Sequence, residues 1–170
     1  MSRVTSALPR ETRMLLHSEG STTVLLESLV GVRMAVEVER QQLTMAAELG
    51  DDARRALRLS AADGVILRCS KLVIPGPAVV SVNRVAFRPD AVPWLTRSIE
   101  DIPIGRQLRG RRTMQYRSIL ANGLTRWPLS EASPRCAYKK YVIYCADGAE
   151  IWVYERFNPG FVPVTAGMTS

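Results

Sequence analysis

At 170 residues, 46% hydrophobic and 23% charged, the chain is expected to fold as one domain over 1–170 with a substantial core and loose ends at 1–7 and 164–170. No apolar run approaches the ~20 residues of a membrane span, and the polar start Met1-Ser-Arg-Val-Thr-Ser6 lacks the apolar segment of a secretory signal, so a cytoplasmic location and no membrane partner are expected. A single histidine, His17, argues against a Ser-His-Asp or multi-histidine metal mechanism, and three cysteines without CxxC spacing, Cys69, Cys136 and Cys145, suggest neither a zinc site nor a disulfide framework; no metal or cofactor is expected.

Leu8-Pro9 leads into a helix over 10–16, with Pro9 where its missing N–H is harmless. The turn cluster Ser18-Glu-Gly-Ser-Thr-Thr23 precedes a second helix over 24–30. Ser21 or Thr22 is its natural cap, and the backbone N–H groups at that start either are simply capped or hold a carboxylate. Over 32–40 the alternation is clean: Val32, Met34, Val36 and Val38 share one face, and Arg33, Ala35, Glu37 and Glu39 the other, as in a half-buried strand. Gly50-Asp51-Asp52 opens a short helix over 53–59 whose arginines argue against deep burial.

Strands over 64–74 and 78–87 follow, joined across Pro75-Gly76-Pro77. Their spacing sets Arg68 in register with Ile66, Leu72 and Ile74. An arginine on an apolar face must reach solvent along its stem, find an internal ion pair, or meet an anion. Helices are expected over 91–99, with Pro93 in the first turn, and over 102–108. The stretch 109–134 is the least regular, with Gly123, Trp127-Pro128 and a helical piece over 117–121.

The strongest local signal is a hairpin of strands 138–146 and 150–157 turning at Asp147-Gly148. A two-residue loop there sets Val142 opposite Val153 and Lys140 opposite Glu155, with Val142, Tyr144, Ile151 and Val153 on one face and Glu155 at its far end. Glu155 then either forms an ion pair with Lys140 at the sheet margin, worth ~1 kcal/mol or less, or lines a pocket as a partly buried acid. Strands grouped in hairpins argue for an α+β domain, a single antiparallel sheet with flanking helices. The net charge is +7, yet the arginines are spread along the chain and the dense run over 106–112 has no interleaved aromatics. No nucleic-acid partner is therefore expected, and the surplus suits attraction of a small polyanion.

Leu15-Leu16 followed by Gly20-Ser21-Thr22, the strand with Leu67-Arg68, the turn Ile102-Pro103-Ile104-Gly105-Arg106, and the late strand ending Tyr154-Glu155-Arg156-Phe157 occur in the order found in chorismate pyruvate-lyases. The sequence resembles that family over roughly 15–163, with 109–134 departing from its pattern. The resemblance implies a chorismate lyase-like sheet of about six antiparallel strands, an enclosed pocket, and no metal or organic cofactor. It implies a lyase of aromatic biosynthesis that converts chorismate to 4-hydroxybenzoate and pyruvate. Arg68 would hold the ring carboxylate, assisted by backbone N–H near Ser21 and Thr22, while Glu155 and the backbone at Ile104 and Gly105 would face the C4 ether oxygen. The chemistry suits these residue types: an arginine fork fixes a carboxylate bidentately, and a desolvated glutamic acid with a raised pKa serves an ether oxygen as acid.

The same fold serves as the UTRA ligand-sensing domain of bacterial transcription regulators, which binds small molecules without turnover. Those regulators carry an added DNA-binding domain, for which this length is expected to leave no room. The implied alternatives are thus a same-fold enzyme acting on another small molecule in specialised metabolism, or a non-catalytic binding domain of the UTRA type. The expected partner is a small carboxylate, and the expected state a monomer or small homo-oligomer.

Overall fold

The computed structural model describes residues 7–76, 78–97 and 102–165. Most of the ends expected to be loose, together with Pro77 of the proline-rich turn and positions 98–99 of an expected helix, lie outside the described residues; Val164 packs against the core. Helix α1, Arg10–His17, starts behind Pro9. Helix α2, Thr22–Val30, begins after Ser21, whose side chain makes no capping bond, and ends at Gly31, where φ of 76° supplies the left-handed turn that glycine adopts without strain. Strand β1, Ala35–Met45, starts later and runs further than the alternation suggests; Met34 and Val36 are buried and Val32 is exposed. A 3-10 turn, Ala46–Glu48, and helix α3, Asp51–Ala56, follow. Despite its arginines α3 buries Ala53, and Leu57 just beyond it is buried too, because long charged side chains keep their heads in water above the apolar positions.

Strands β2, Gly64–Ile74, and β3, Ala78–Phe87, form where expected, followed by helices α4, Pro93–Arg97, and α5, Ile104–Gly110. The helical piece expected at 117–121 is instead part of β4, Gln115–Arg126, a strand at the sheet edge. Its pairing with β5, Arg135–Cys145, is interrupted between Ile119 and Ala121, where Leu120 is left over and exposed. The interruption breaks the period-2 pattern that would have marked a strand. The last strand is β6, Glu150–Phe157.

The six strands lie in the order β1-β2-β3-β6-β5-β4, every neighbouring pair antiparallel, so two three-stranded meanders meet at β3 and β6. This is the chorismate lyase-like α+β fold. Among the described residues no helix is long and apolar enough to cross a membrane.

The β5–β6 hairpin forms with a register one residue away from the expected one. Cys145 bonds Ala149 across the turn and Gly148 bonds back to Cys145, leaving Ala146, Asp147 and Gly148 as a three-residue loop, with Gly148 at φ 86°. Lys139, and not Lys140, therefore lies opposite Glu155, and Trp152, not Val153, opposite Val142. A one-residue slip exchanges the faces. Tyr141, Ile143, Ile151 and Val153 share the face of Glu155 and pack with Ile66, Val85, Phe87, Leu95 and Leu108 under α4 and α5. Val142 and Trp152 lie on the opposite face with Val65, Leu67 and Ala86, covered by Leu49, Ala53 and Leu57. On the first face a second apolar cluster, with Leu15, Leu16, Leu26, Val36, Leu72 and Phe157, lies under α1 and α2. Polar residues occupy the gap between the two clusters of that face.

Candidate ligand pocket

Arg68 sits on β2 with apolar neighbours on either side and is only 1% exposed, so it does not snorkel to solvent. Its Nη1 donates to Gln41 Oε1 at 3.1 Å, and Gln41 lies directly opposite it on β1. The Gln41 amide in turn donates to the Leu95 carbonyl at 2.9 Å, which ties the pair to α4. The guanidinium is thus held in one orientation, with a planar set of donors in the cavity wall.

The roof is made of two helix starts. Ser21 and Thr22 come from α2, and Ile104 and Gly105 from α5. Glu27 links them: its carboxylate pairs with Arg106 and accepts a hydrogen bond from Met34 N at 2.8 Å. A Cβ on Gly105 would lie 3.3 Å from Ser21 Oγ and 3.5 Å from Arg117 Nη2, so the missing side chain lets α2, α5 and β4 approach one another here.

All six residues singled out in the sequence, Arg68, Glu155, Ser21, Thr22, Ile104 and Gly105, line this one cavity, whose volume is ≈ 50 Å³. The sequence reading did not find Ser70, Asn83, Arg117 and Tyr141, which also line it. Tyr141 was hidden by the hairpin register, and Arg117 by the helical reading of its strand. Period-2 counting from Arg68 along β2 would have found Ser70.

Glu155, 5% exposed, lies opposite Asn83 on one side and Lys139 on the other. Burial pushes its carboxyl pKa up, while Lys139, the Thr22 and Tyr141 hydroxyls and Arg117 oppose that shift. Oε2 of Glu155 and Oγ1 of Thr22 are both buried without a hydrogen-bond partner of normal geometry. Lys139 is fully buried; its ammonium donates to the Leu15 carbonyl at 3.3 Å and to the Ser18 carbonyl, at the C-terminal end of α1 where the helix dipole favours a cation. Burial lowers its pKa, and Glu155 is the leading influence holding it up. Burial also drives the Tyr141 hydroxyl well above the usual range, so it stays protonated and able to donate. Lys140, the partner expected for Glu155, points the other way and pairs with Asp52 at 2.6 Å. Among the described residues, no group of three or more His, Cys, Asp and Glu side chains is placed to hold a metal ion.

No protein-family model matches the sequence, and no curated protein does. Solved structures do share its shape. PhnF from Mycobacterium smegmatis superposes with a TM-score of 0.63 at 14% identity, over 91% of this chain and 70% of that one. The effector domain of the same PhnF gives 0.62 at 15% identity, over 89% of this chain and 96% of that one. The C-terminal domain of the histidine utilization repressor from Pseudomonas syringae pv. tomato gives 0.60 at 8% identity, over 81% of this chain and all of that one. The last of these is a repressor domain, and other solved structures that share the shape are described as transcriptional regulators, which overturns the expectation of a chorismate-cleaving enzyme. The chain shares the chorismate lyase-like fold in the form found in UTRA-type ligand-binding domains of regulators.

Proposed function

We propose that this chain is a small-molecule-binding domain whose pocket receives a carboxylate at Arg68 and releases the ligand unchanged. The observation that carries the reading is the buried, pre-oriented guanidinium of Arg68 in the wall of the cavity. A fork fixed before the ligand arrives loses little rotamer freedom on binding, and charge-assisted hydrogen bonds away from water are the strong ones. The backbone at Ser21 and Thr22 closes on the same carboxylate, and Glu155 with the Ile104–Gly105 backbone meets the polar far end of the ligand. The description of similar structures as a repressor domain and as the ligand-binding domain of a transcriptional regulator supports binding without turnover. Nucleic-acid contact is not part of this reading for the dense basic run: Arg106 is paired with Glu27, and Arg111 lies over the Trp94 ring at 4.5 Å.

Calorimetry with benzoate tests the reading. Arg68→Met, which keeps the bulk and removes the fork, should weaken binding by roughly 10- to 150-fold, the loss of one charge-assisted bond of ~1.5–3 kcal/mol. Arg111→Met should leave binding unchanged. Equal affinities for the two variants would make Arg68 a structural arginine, and formation of 4-hydroxybenzoate and pyruvate from chorismate by the wild type would overturn the non-catalytic half of the proposal.

A further inference from the structure

Arg117 is a charged pocket residue that the carboxylate reading leaves unused. It enters from β4, is 8% exposed, and its Nε is buried without a hydrogen-bond partner. Among the described residues its guanidinium makes no ion pair. An arginine stays protonated at any ordinary pH, so it cannot escape burial by losing its charge as Lys139 can. Among the described residues that line the cavity the one carboxylate is Glu155, which feels the charge of Arg117 but makes no ion pair with it. Glu155 faces Lys139 across the β5–β6 ladder, and that pair sums to zero charge whether it stands as two ions or as two neutral groups after a proton passes between them. Among the described residues Arg117 therefore keeps a permanent positive charge in the cavity wall without an ion pair.

The two arginines also come from far apart. In the strand order, β2 and β4 are separated by β3, β6 and β5, about 19 Å at ~4.8 Å per strand spacing. Both side chains nevertheless reach one cavity, so they converge on it from opposite flanks of a curled sheet. Gly105 keeps the Arg117 end clear of a side chain.

Building on the reading that Arg68 receives a carboxylate, we propose that the natural ligand is a small molecule with two separated acidic groups, the second held by Arg117. A single group carrying both charges would satisfy one flank only. Arg117 is then a specificity-determining residue that separates dianions from simple carboxylates.

The test measures binding of benzoate, isophthalate, terephthalate, 4-carbamoylbenzoate and phenyl phosphate to wild type, Arg117→Met and Arg117→Lys. The expected result is that at least one of the two dicarboxylates binds wild type about tenfold or more tighter than 4-carbamoylbenzoate. That advantage should vanish in Arg117→Met and return in part in Arg117→Lys. The ligand-free Arg117→Met protein should melt no lower than wild type, because it loses a buried charge and no ion pair; a marked fall would mean that Arg117 is structural. Dicarboxylates binding no better than the monoamide, or phenyl phosphate binding best of all, would overturn the two-group proposal while leaving Arg68-dependent benzoate binding intact. If no probe binds in an Arg68-dependent way, the carboxylate reading itself falls, and this inference with it.

Discussion

Lys139 and Lys140 are adjacent in sequence, and replacing each by methionine should have very different consequences. Lys139 is fully buried and gives its ammonium to two backbone carbonyls while facing Glu155. Methionine has similar length and fills the space, so the cavity contribution is small. What is lost is two charge-assisted hydrogen bonds and the counter-charge of a buried carboxylate, against which stands relief from desolvating the ammonium. Breaking a buried pair by removing one partner costs ~3–5 kcal/mol. The lower end, about 3 kcal/mol, applies here because burial already raises the Glu155 pKa and the carboxyl can take up a proton. For a domain of this size that corresponds to a melting temperature lower by roughly 6–12 °C. Lys140 has a quarter of its side chain exposed, pairs with Asp52 and lies 4.8 Å over the Tyr154 ring, so its loss should cost about 0.5–1 kcal/mol. Urea unfolding of both single variants, and of Lys139→Met combined with Glu155→Leu, measures this. The double variant should recover much of the loss, a coupling of ~1–3 kcal/mol. Equal effects of the two lysine variants, or strict additivity in the double, would refute the buried pair and the hairpin register behind it.

Two further outcomes follow from burial. Because the folded-state pKa of Glu155 lies above 4.5, the folded protein holds a proton that the unfolded chain has released, and stability falls as pH rises from 4.5 toward the folded-state value. Glu155→Gln removes this slope, so the melting temperature of the variant relative to wild type should climb over that range; a pH-independent difference would mean that Glu155 titrates normally. Among the cysteines, burial pushes Cys136 up to about 11 and raises Cys145 as well, whereas Cys69 is half-buried. Ellman's reagent at pH 8 should therefore react quickly with one thiol in the native protein and with all three in urea, and rapid reaction of all three in the native state would contradict the buried placements.

What could be read from the sequence depended on whether the signal was local. Arg68 stood out because a charge in register with Ile66 and Leu72 breaks an apolar face, and the motif order gathered Ser21, Ile104 and Glu155 into the same site before any geometry was available. The hairpin register did not follow from its turn: Asp147-Gly148 fits a two-residue loop, yet Ala146 joins the loop and shifts the pairing. That single residue decides whether Lys139 or Lys140 meets Glu155 and whether Tyr141 faces the pocket. Arg117 was hidden because β4 is an edge strand whose form comes from pairing with β5 across an irregularity at Leu120, a tertiary effect with no local signature. Chemistry was harder still to read than geometry, since a buried arginine and a buried glutamate in a cavity serve binding as well as catalysis.

The account is tested most directly by a crystal structure of the protein soaked with benzoate. It predicts the carboxylate in the cavity beneath Ser21 and Thr22, paired with the Arg68 guanidinium at about 2.7–2.9 Å, and the ring directed toward Glu155. Benzoate bound elsewhere, or a cavity in which the Arg68 guanidinium faces away from a bound carboxylate, would contradict it.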